Sequence, residues 1–416
     1  MSTTSDLPEP SLSDKVTTIT RPPPTCSRKV PKIKALAWLD KLLALWIILA
    51  MGIGIILGYF VPNTSVVLEK VKFVDVSLPL GSSLFLFTIR MIKLIIDFMK
   101  YTAIALIVMM WPILCRVSPS ALLRLFSGAK IWYHLLFSLV VNWVFAPLLM
   151  LALSWAFLPD KEGLREGLIL VGIARCIAMV LVWTDIADGD ADFCAVLVAF
   201  NSILQIVLYA PFAILYINKI SPGGGSGGVV VGYGTVARSV AAFLGIPLAA
   251  ALVTRGAFIL FKAQLFFQEK FLPTIAPLSL IALLFTTLII FAAQGRQVVD
   301  SITSVLRVVA PLLVYFLIMF FLVLFTCKRA KVSYGRTTAQ AFTGASNNFE
   351  LAIAVAVSAY GANSPQALAA TVGPLVEVPV LLGLAYLLNW YRKRQNWDLD
   401  EEEVAQNTAG SSKEAV

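Results

Sequence analysis

The sequence predicts an all-α polytopic membrane protein, with ten transmembrane helices arranged as two inverted five-helix repeats. Three observations carry that prediction. Of 416 residues, 59% are hydrophobic and only 14% are charged. An average soluble domain carries roughly 25% charged residues, so a soluble fold of this size would lack a polar skin. Apolar runs near the ~20 residues that cross a bilayer recur along the chain, among them 39–60, 131–158, 194–217, 273–293 and 308–326. A glycine-rich stretch, SPGGGSGG at 221–228, interrupts them near the middle. These runs show no strand alternation, which argues against a β-barrel.

Taken in order, residues 1–34 open the chain. Ser, Thr and Pro dominate their first part and no apolar core of a signal peptide follows the start, so a disordered cytosolic segment is expected. The first five-helix repeat covers 35–220, with spans near 39–60, 103–118, 131–158, 166–184 and 193–218. Residues 221–234 are a flexible linker. The second repeat covers 235–392, with spans near 235–259, 272–294, 302–327, 337–360 and 366–391. Residues 393–416 form a cytosolic tail with Asp398, Asp400, Glu401, Glu402 and Glu403 near its start.

Charge asymmetry sets the orientation. Seventeen Lys and Arg fall in the segments 28–34, 116–130, 255–270, 328–336 and 392–394. The opposite face holds six: Lys70, Lys72, Lys161, Arg165, Lys219 and Arg296. The basic side faces the cytosol, which puts both termini there. The net charge of +9 is spread over these short clusters and forms no continuous face, so nucleic acid is not an expected partner.

Residues 81–102 (GSSLFLFTIRMIKLIIDFMKYT) resist this scheme. An eleventh span there would invert everything after it. Arg90, Lys93, Asp97 and Lys100 also suit a bilayer centre poorly, so an interfacial or re-entrant amphipathic segment is expected.

Five helices on each side of a linker is the pattern of an inverted-repeat transporter, whose site lies where helices are interrupted near the midplane. Two polar interruptions sit at matching positions. The fourth span reads GLILVGIARCIAMVLVWTD, with Gly172, Arg175 and Cys176 at its centre. The ninth reads AFTGASNNFELAIAVAV, with Gly344, Ser346, Asn347, Asn348 and Glu350. An Arg and a Glu at such depth are costly and mark function, or form a structural Arg175–Glu350 pair. Asn201 and Gln205, four apart, share one face of the fifth span, and Glu377 lies between Pro374 and Pro379 in the tenth. These polar groups serve either the site or interhelical hydrogen bonding. Cys176 is either a small hydrophobe or, with Arg175 beside it, a soft ligand. The other cysteines (Cys26, Cys115, Cys194, Cys327) are scattered, with no CxxC or Cys/His spacing for zinc. His134, the single histidine, opens an apolar run and reads as interfacial. HExxH, Ser/His arrangements and paired intramembrane aspartates do not occur, so neither an intramembrane enzyme nor a cofactor is expected.

At these residues the sequence resembles the arsenical resistance-3 permeases, arsenite efflux proteins of the bile acid/arsenite/riboflavin transporter superfamily. The stretches that carry the resemblance are ALIVMMWPILCRV (105–117), GIARCIAMVLVWTD, NSILQIVLYAPFAILYI (201–217), TGASNNFELAIAVAVSAYG (343–361) and VGPLVEVPVLLGL (372–384). The resemblance implies a panel of spans 1, 2, 6 and 7 and a core of spans 3–5 and 8–10, with spans 4 and 9 broken and crossing. It implies export of arsenite, and of antimonite, in exchange for protons across the plasma or the vacuolar membrane. The family's essential cysteine falls on Cys176, the As(III) thiol ligand, and its essential acid on Glu350. Further positions fall on Asn142, Arg175, Trp183, Asn201, Arg255, Asn348 and Glu377. Asn347, Asn348 and Asn201 are expected to hydrogen-bond the cargo's hydroxyls, and Glu350 to carry the proton. A sodium-coupled organic-anion symporter of the same superfamily is the alternative.

Two departures stand out. Thr184 occupies the place of an Asn in the family's VWND. Joining Val76–Leu80 directly to Ala103 restores the family pattern, so 81–102 reads as an insertion, expected to be a retained intron. Mature transcripts that contain these 22 codons would overturn that reading.

Overall fold

The computed structural model describes residues 43–60, 108–115, 129–221, 232–361 and 364–395, and all its regular elements there are helical. The insertion at 81–102 and both chain ends lie outside the described residues.

Twelve described helices follow one another. They are α1 (Leu43–Phe60), α2 (108–115) and α3 (Ala129–Val140, a π-helical turn at Val141–Phe145, then Ala146–Phe157). Next come α4 (Glu162–Ile173), α5 (Met179–Ile186) and α6 (Ala191–Ala213, ending π-helical at Ile214–Ile220). The second half holds α7 (Tyr233–Val240, Ala241–Gly245, Ile246–Leu260), α8 (Gln264–Phe266, Phe267–Phe271, Leu272–Asp300) and α9 (Ile302–Arg329). It closes with α10 (Tyr334–Ala345), α11 (Phe349–Tyr360) and α12 (Pro365–Gln395). Among the described residues, six helices are long and apolar enough to cross a membrane: α3, α6, α7, α8, α9 and α12. Hydropathy locates these helices but undershoots α8, predicted at 272–294. Its polar first turns and the Gln294–Asp300 end continue the helix past the apolar run.

Lipid offers the backbone no hydrogen bonds, so helices here associate through close packing. The clearest case is α1 against α8. Gly54 and Gly58, four apart, let the backbones touch: a Cβ on Gly54 would lie 2.6 Å from the Leu288 carbonyl oxygen. Gly295 answers from α8, where a Cβ would lie 2.8 Å from the Ile55 oxygen. The short α2 joins α7 and α8 through Trp111, whose indole donates to Thr254 (3.1 Å) and meets Phe271 edge-on. The remaining helices pack chiefly on one another, α4 along α12 and α9 between α10 and α12.

The ends of the bundle are tied separately. At one end, Tyr334 donates to the Ala187 carbonyl (2.7 Å), Asn389 to Ile186 (2.6 Å), and Arg392 pairs with Asp188 (3.7 Å). At the other, Arg307 grips Asp160, Gln366 donates to Glu166 (2.8 Å), and Arg165 donates to the carbonyls of Leu158 and Pro159.

Candidate functional site

Two helices stop and restart in the middle of the bundle. After Ile173 the backbone turns extended at Ala174 (φ −85°, ψ 116°), and the helix resumes at Met179. After Ala345 it turns extended at Ser346 (φ −85°, ψ 145°), and resumes at Phe349. A break frees N–H and C=O groups that must find partners inside protein. Here the breaks supply each other: Arg175 and Asn347 form an antiparallel bridge, and the Asn348 N–H donates to the Ala174 carbonyl (3.2 Å).

Side chains satisfy the rest. The Asn347 amide donates to the carbonyls of Val171 (2.8 Å) and Ala174 (3.1 Å), closing the C-terminus of α4. The Arg175 guanidinium donates to the Gly172 carbonyl and to the Tyr315 hydroxyl (3.1 Å). A cation at a helix C-terminus also opposes the negative end of its dipole. The Arg175 N–H donates to the Gln205 carboxamide of α6. Among the described residues Arg175 forms no ion pair, so a structural Arg175–Glu350 pair is not what holds this charge. The guanidinium is fully buried and held by neutral groups instead.

The restarted helices are capped in two different ways. Asn348 is a conventional N-cap, its carboxamide oxygen accepting from the Leu351 N–H (3.1 Å). On α5 the N-cap residue, Ala178, has no side-chain acceptor, and a sulfur just before it takes that role: Cys176 Sγ accepts from the Val180 N–H (3.3 Å). That thiol is 3% exposed. It lies beside the Ser346 hydroxyl, with the carboxyl groups of Glu377 and Glu350 nearby. Ser346 in turn donates to the Glu377 carboxylate of α12.

A small open cavity adjoins the breaks. Glu350, Glu377 and Asn347 line one wall, together with Met179, Phe349 and Pro374; Ile47 of α1 and Leu283, Thr286, Thr287, Ile290 and Phe291 of α8 line the other. The structure therefore brings Asn347, Glu350 and Glu377 to one surface. Cys176 and Asn348 sit immediately behind it and do not line it.

The other expected residues are distributed around this centre. Asn201 is buried one helix away, its oxygen accepting from the Trp143 indole (3.1 Å). Asn142 sits in the π-helical turn of α3 and donates to the Ser138 carbonyl (2.9 Å). Trp183 is wholly buried in α5. Arg255 lies at the α2–α7–α8 junction, away from the breaks, donating to the Cys115 carbonyl (2.9 Å). Thr184 turns its hydroxyl to the Val180 carbonyl (2.8 Å), with the Cys194 sulfur 3.4 Å away, so it stays outside the cavity. Sequence reasoning missed Tyr315, Trp143 and Thr286. Each lies inside an apolar run, and the run itself was the available signal.

Two interlocked helix breaks with buried polar groups, facing a cavity within an apolar helical bundle, are an arrangement found in membrane transporters. Comparison with known proteins agrees. Residues 103–301 match the Sodium Bile acid symporter family. That match begins at the residue after the expected insertion. An arsenical-resistance protein Acr3 of Corynebacterium glutamicum is 40% identical over 85% of this chain and 90% of its own length. An Acr3 arsenical-resistance protein of Alkaliphilus metalliredigens is 27% identical over 86% and 94%. An uncharacterized transporter of Synechocystis is 31% identical over 83% and 87%. The chain belongs to the Acr3-type arsenical-resistance transporter family.

Proposed function

We propose that this protein exports trivalent arsenic from the cytosol in exchange for protons, with arsenite as principal cargo and antimonite as a second. The observation that carries the proposal is one thiol, Cys176, beside Ser346 and two buried-bundle carboxylates, Glu350 and Glu377, at the edge of a cavity. In this reading the chain has ten spans as two inverted repeats (35–220 and 235–392) joined by the 221–234 linker. Residues 1–34 and 393–416 lie in the cytosol and the plasma membrane is the site of action. The panel is α1, α2, α7 and α8, and the core is α3–α6 with α9–α12.

Arsenite near neutral pH is an uncharged trihydroxide, so it enters a low-dielectric cavity without the desolvation cost of an ion. As(III) is soft and prefers sulfur. As the As–S bond forms, the thiol proton leaves with one arsenic-bound hydroxyl as water. The reverse hydrolysis releases the cargo, and a single thiol keeps the bond reversible. Cys176 first gives up a weak N–H···S contact to Val180, so the α5 cap loosens as the ligand binds. The Asn347 carboxamide takes a remaining hydroxyl, while Asn348 and Asn201, which do not line the cavity, have to turn toward the cargo to take another. Glu350 carries the exchanged proton. Its protonation biases one access state, and the core moves against the panel. Arg175, Glu377, Asn142 and Trp183 hold the crossing, and Arg255 holds the panel.

Proton-driven arsenite uptake into everted vesicles is the test. Glu350→Gln that still accumulates arsenite under an imposed pH gradient would rule out the coupling role. The match to a symporter family favours one second reading, a sodium-coupled carrier. Uptake that follows a sodium gradient at fixed pH would support it.

A further inference from the structure

In the described cavity, only Thr286 and Thr287 of α8 bring polar side chains to the wall facing Glu350. Thr286 is 1% exposed, yet its hydroxyl has no hydrogen-bond partner in the structure. That is unusual for a threonine inside a helix, where the hydroxyl ordinarily bonds the carbonyl four residues back. Thr184, Thr254, Thr274, Thr326, Thr343 and Thr371 all make that bond here, at 2.6–2.9 Å. Thr286 does not bond Ala282. The residue lines the cavity, and its hydroxyl is left without a partner in its own helix.

The opposite wall offers the complementary orphan. Both hydrogen bonds from the Asn347 amide nitrogen go to α4 carbonyls, which fixes the orientation of the carboxamide. Its oxygen is buried and unpartnered. The two walls thus each carry one buried polar atom without a partner, the Asn347 oxygen and the Thr286 hydroxyl, and Glu350 lines the same cavity. An unmade hydrogen bond in a buried place is costly, so both positions select an occupant that carries its own hydroxyls.

We infer that Thr286 is the α8 contact for cargo: its hydroxyl hydrogen-bonds one hydroxyl of an uncharged, hydroxylated metalloid, while Asn347 accepts from another. This deepens the export reading and rests on it. Thr286 becomes a specificity-determining residue that favours a trihydroxide over species with fewer hydroxyls. It also gives the moving interface a reason to close on loaded cargo, because α8 and the crossing touch the same molecule.

The experiment measures initial rates of arsenite uptake into everted vesicles for wild type, Thr286→Val and Thr286→Ser, with a monomethylated trivalent arsenical as a second substrate. Thr286→Val preserves shape and removes the hydroxyl. It is expected to raise the arsenite KM about three- to tenfold, the effect of one hydrogen bond, with little change in Vmax. Thr286→Ser is expected to restore the wild-type KM. Selectivity for arsenite over the methylated species should fall in Thr286→Val, because that species has a hydroxyl fewer to lose. A Thr286→Val protein with wild-type KM and selectivity overturns the inference and leaves the export reading standing. Wild-type vesicles that take up no arsenite overturn both.

Discussion

The two helix breaks lie against each other but do opposite things with their side chains. The first, at 174–178, turns its chemistry inward: Arg175 is held by Gly172, Tyr315 and Gln205, and Cys176 caps α5. The second, at 346–348, ends at the cavity, where Asn347 and Glu350 form the wall. Its caps are ordinary polar ones. The comparison teaches that the thiol and the cavity-lining groups come from different halves of the chain. The thiol is held as a structural cap, one layer behind the cavity surface. In the export proposal, binding therefore has to disturb the first break, while the second is already placed.

The largest expected effect tests the exposed side of that comparison. Glu350→Gln keeps the volume and removes the titration, so pH-driven arsenite accumulation in vesicles should drop to that of empty controls. Downhill arsenite efflux at symmetric pH should persist in part. Loss of both would make Glu350 a packing residue and break the division of labour.

Next comes the hidden side. Cys176→Ser retains a cap acceptor on α5 but no soft ligand. The arsenite KM should rise by at least the roughly 10- to 100-fold that losing even an indirect partner costs a metal site, while thermal stability stays near wild type. Cys176→Ala should lose stability as well, because Val180 is left without its acceptor. Equal melting temperatures for Ser and Ala would mean that the thiol is no cap, and the storage argument would fail.

A smaller effect separates the two caps. Asn348→Ala removes a conventional N-cap and should cost about 0.5–2 kcal/mol of stability, with Asn348→Asp recovering most of it. A detergent-solubilised melting curve reads this directly. If Asn348→Ala melts like wild type, α11 is held by its packing against α12 and not by its cap.

Much of this layout was legible in the sequence, for identifiable reasons. Polar residues inside long apolar runs are too costly to be incidental, so Gly172–Cys176 and Gly344–Glu350 marked the breaks. Helix starts such as Asp190, which accepts from the Phe193 N–H (2.9 Å), follow the usual capping rule. The orientation of individual groups was not legible. Hydropathy and spacing say which face a residue occupies but not which neighbour takes its hydrogen bond. Cys176 was expected as the As(III) ligand, but that its sulfur also accepts from the Val180 N–H could not be read from the sequence. Arg175 was weighed as a partner of Glu350, yet Tyr315, 140 positions away, takes that place. Thr286 was invisible because a threonine in an apolar run ordinarily bonds its own helix.

The smallest effect concerns a contact far from both breaks, and serves as their contrast. Arg307 of α9 donates to both oxygens of Asp160, in the loop between α3 and α4. That hydrogen bond holds the Asp160 carboxyl at about 2, below its usual 3.8. A depressed carboxyl stabilises the fold above its unfolded value, and the contribution is lost as pH falls from about 3.8 through about 2. The pair is exposed on both sides, so water and salt screen it. Asp160→Asn should therefore leave transport unchanged at neutral pH and shift the melting curve only slightly. The shift should shrink further in high salt and vanish below about pH 2, where the wild-type carboxyl is itself neutral. A transport defect in Asp160→Asn would instead tie this loop to the access cycle, because α4 leads from it directly into the Cys176 break.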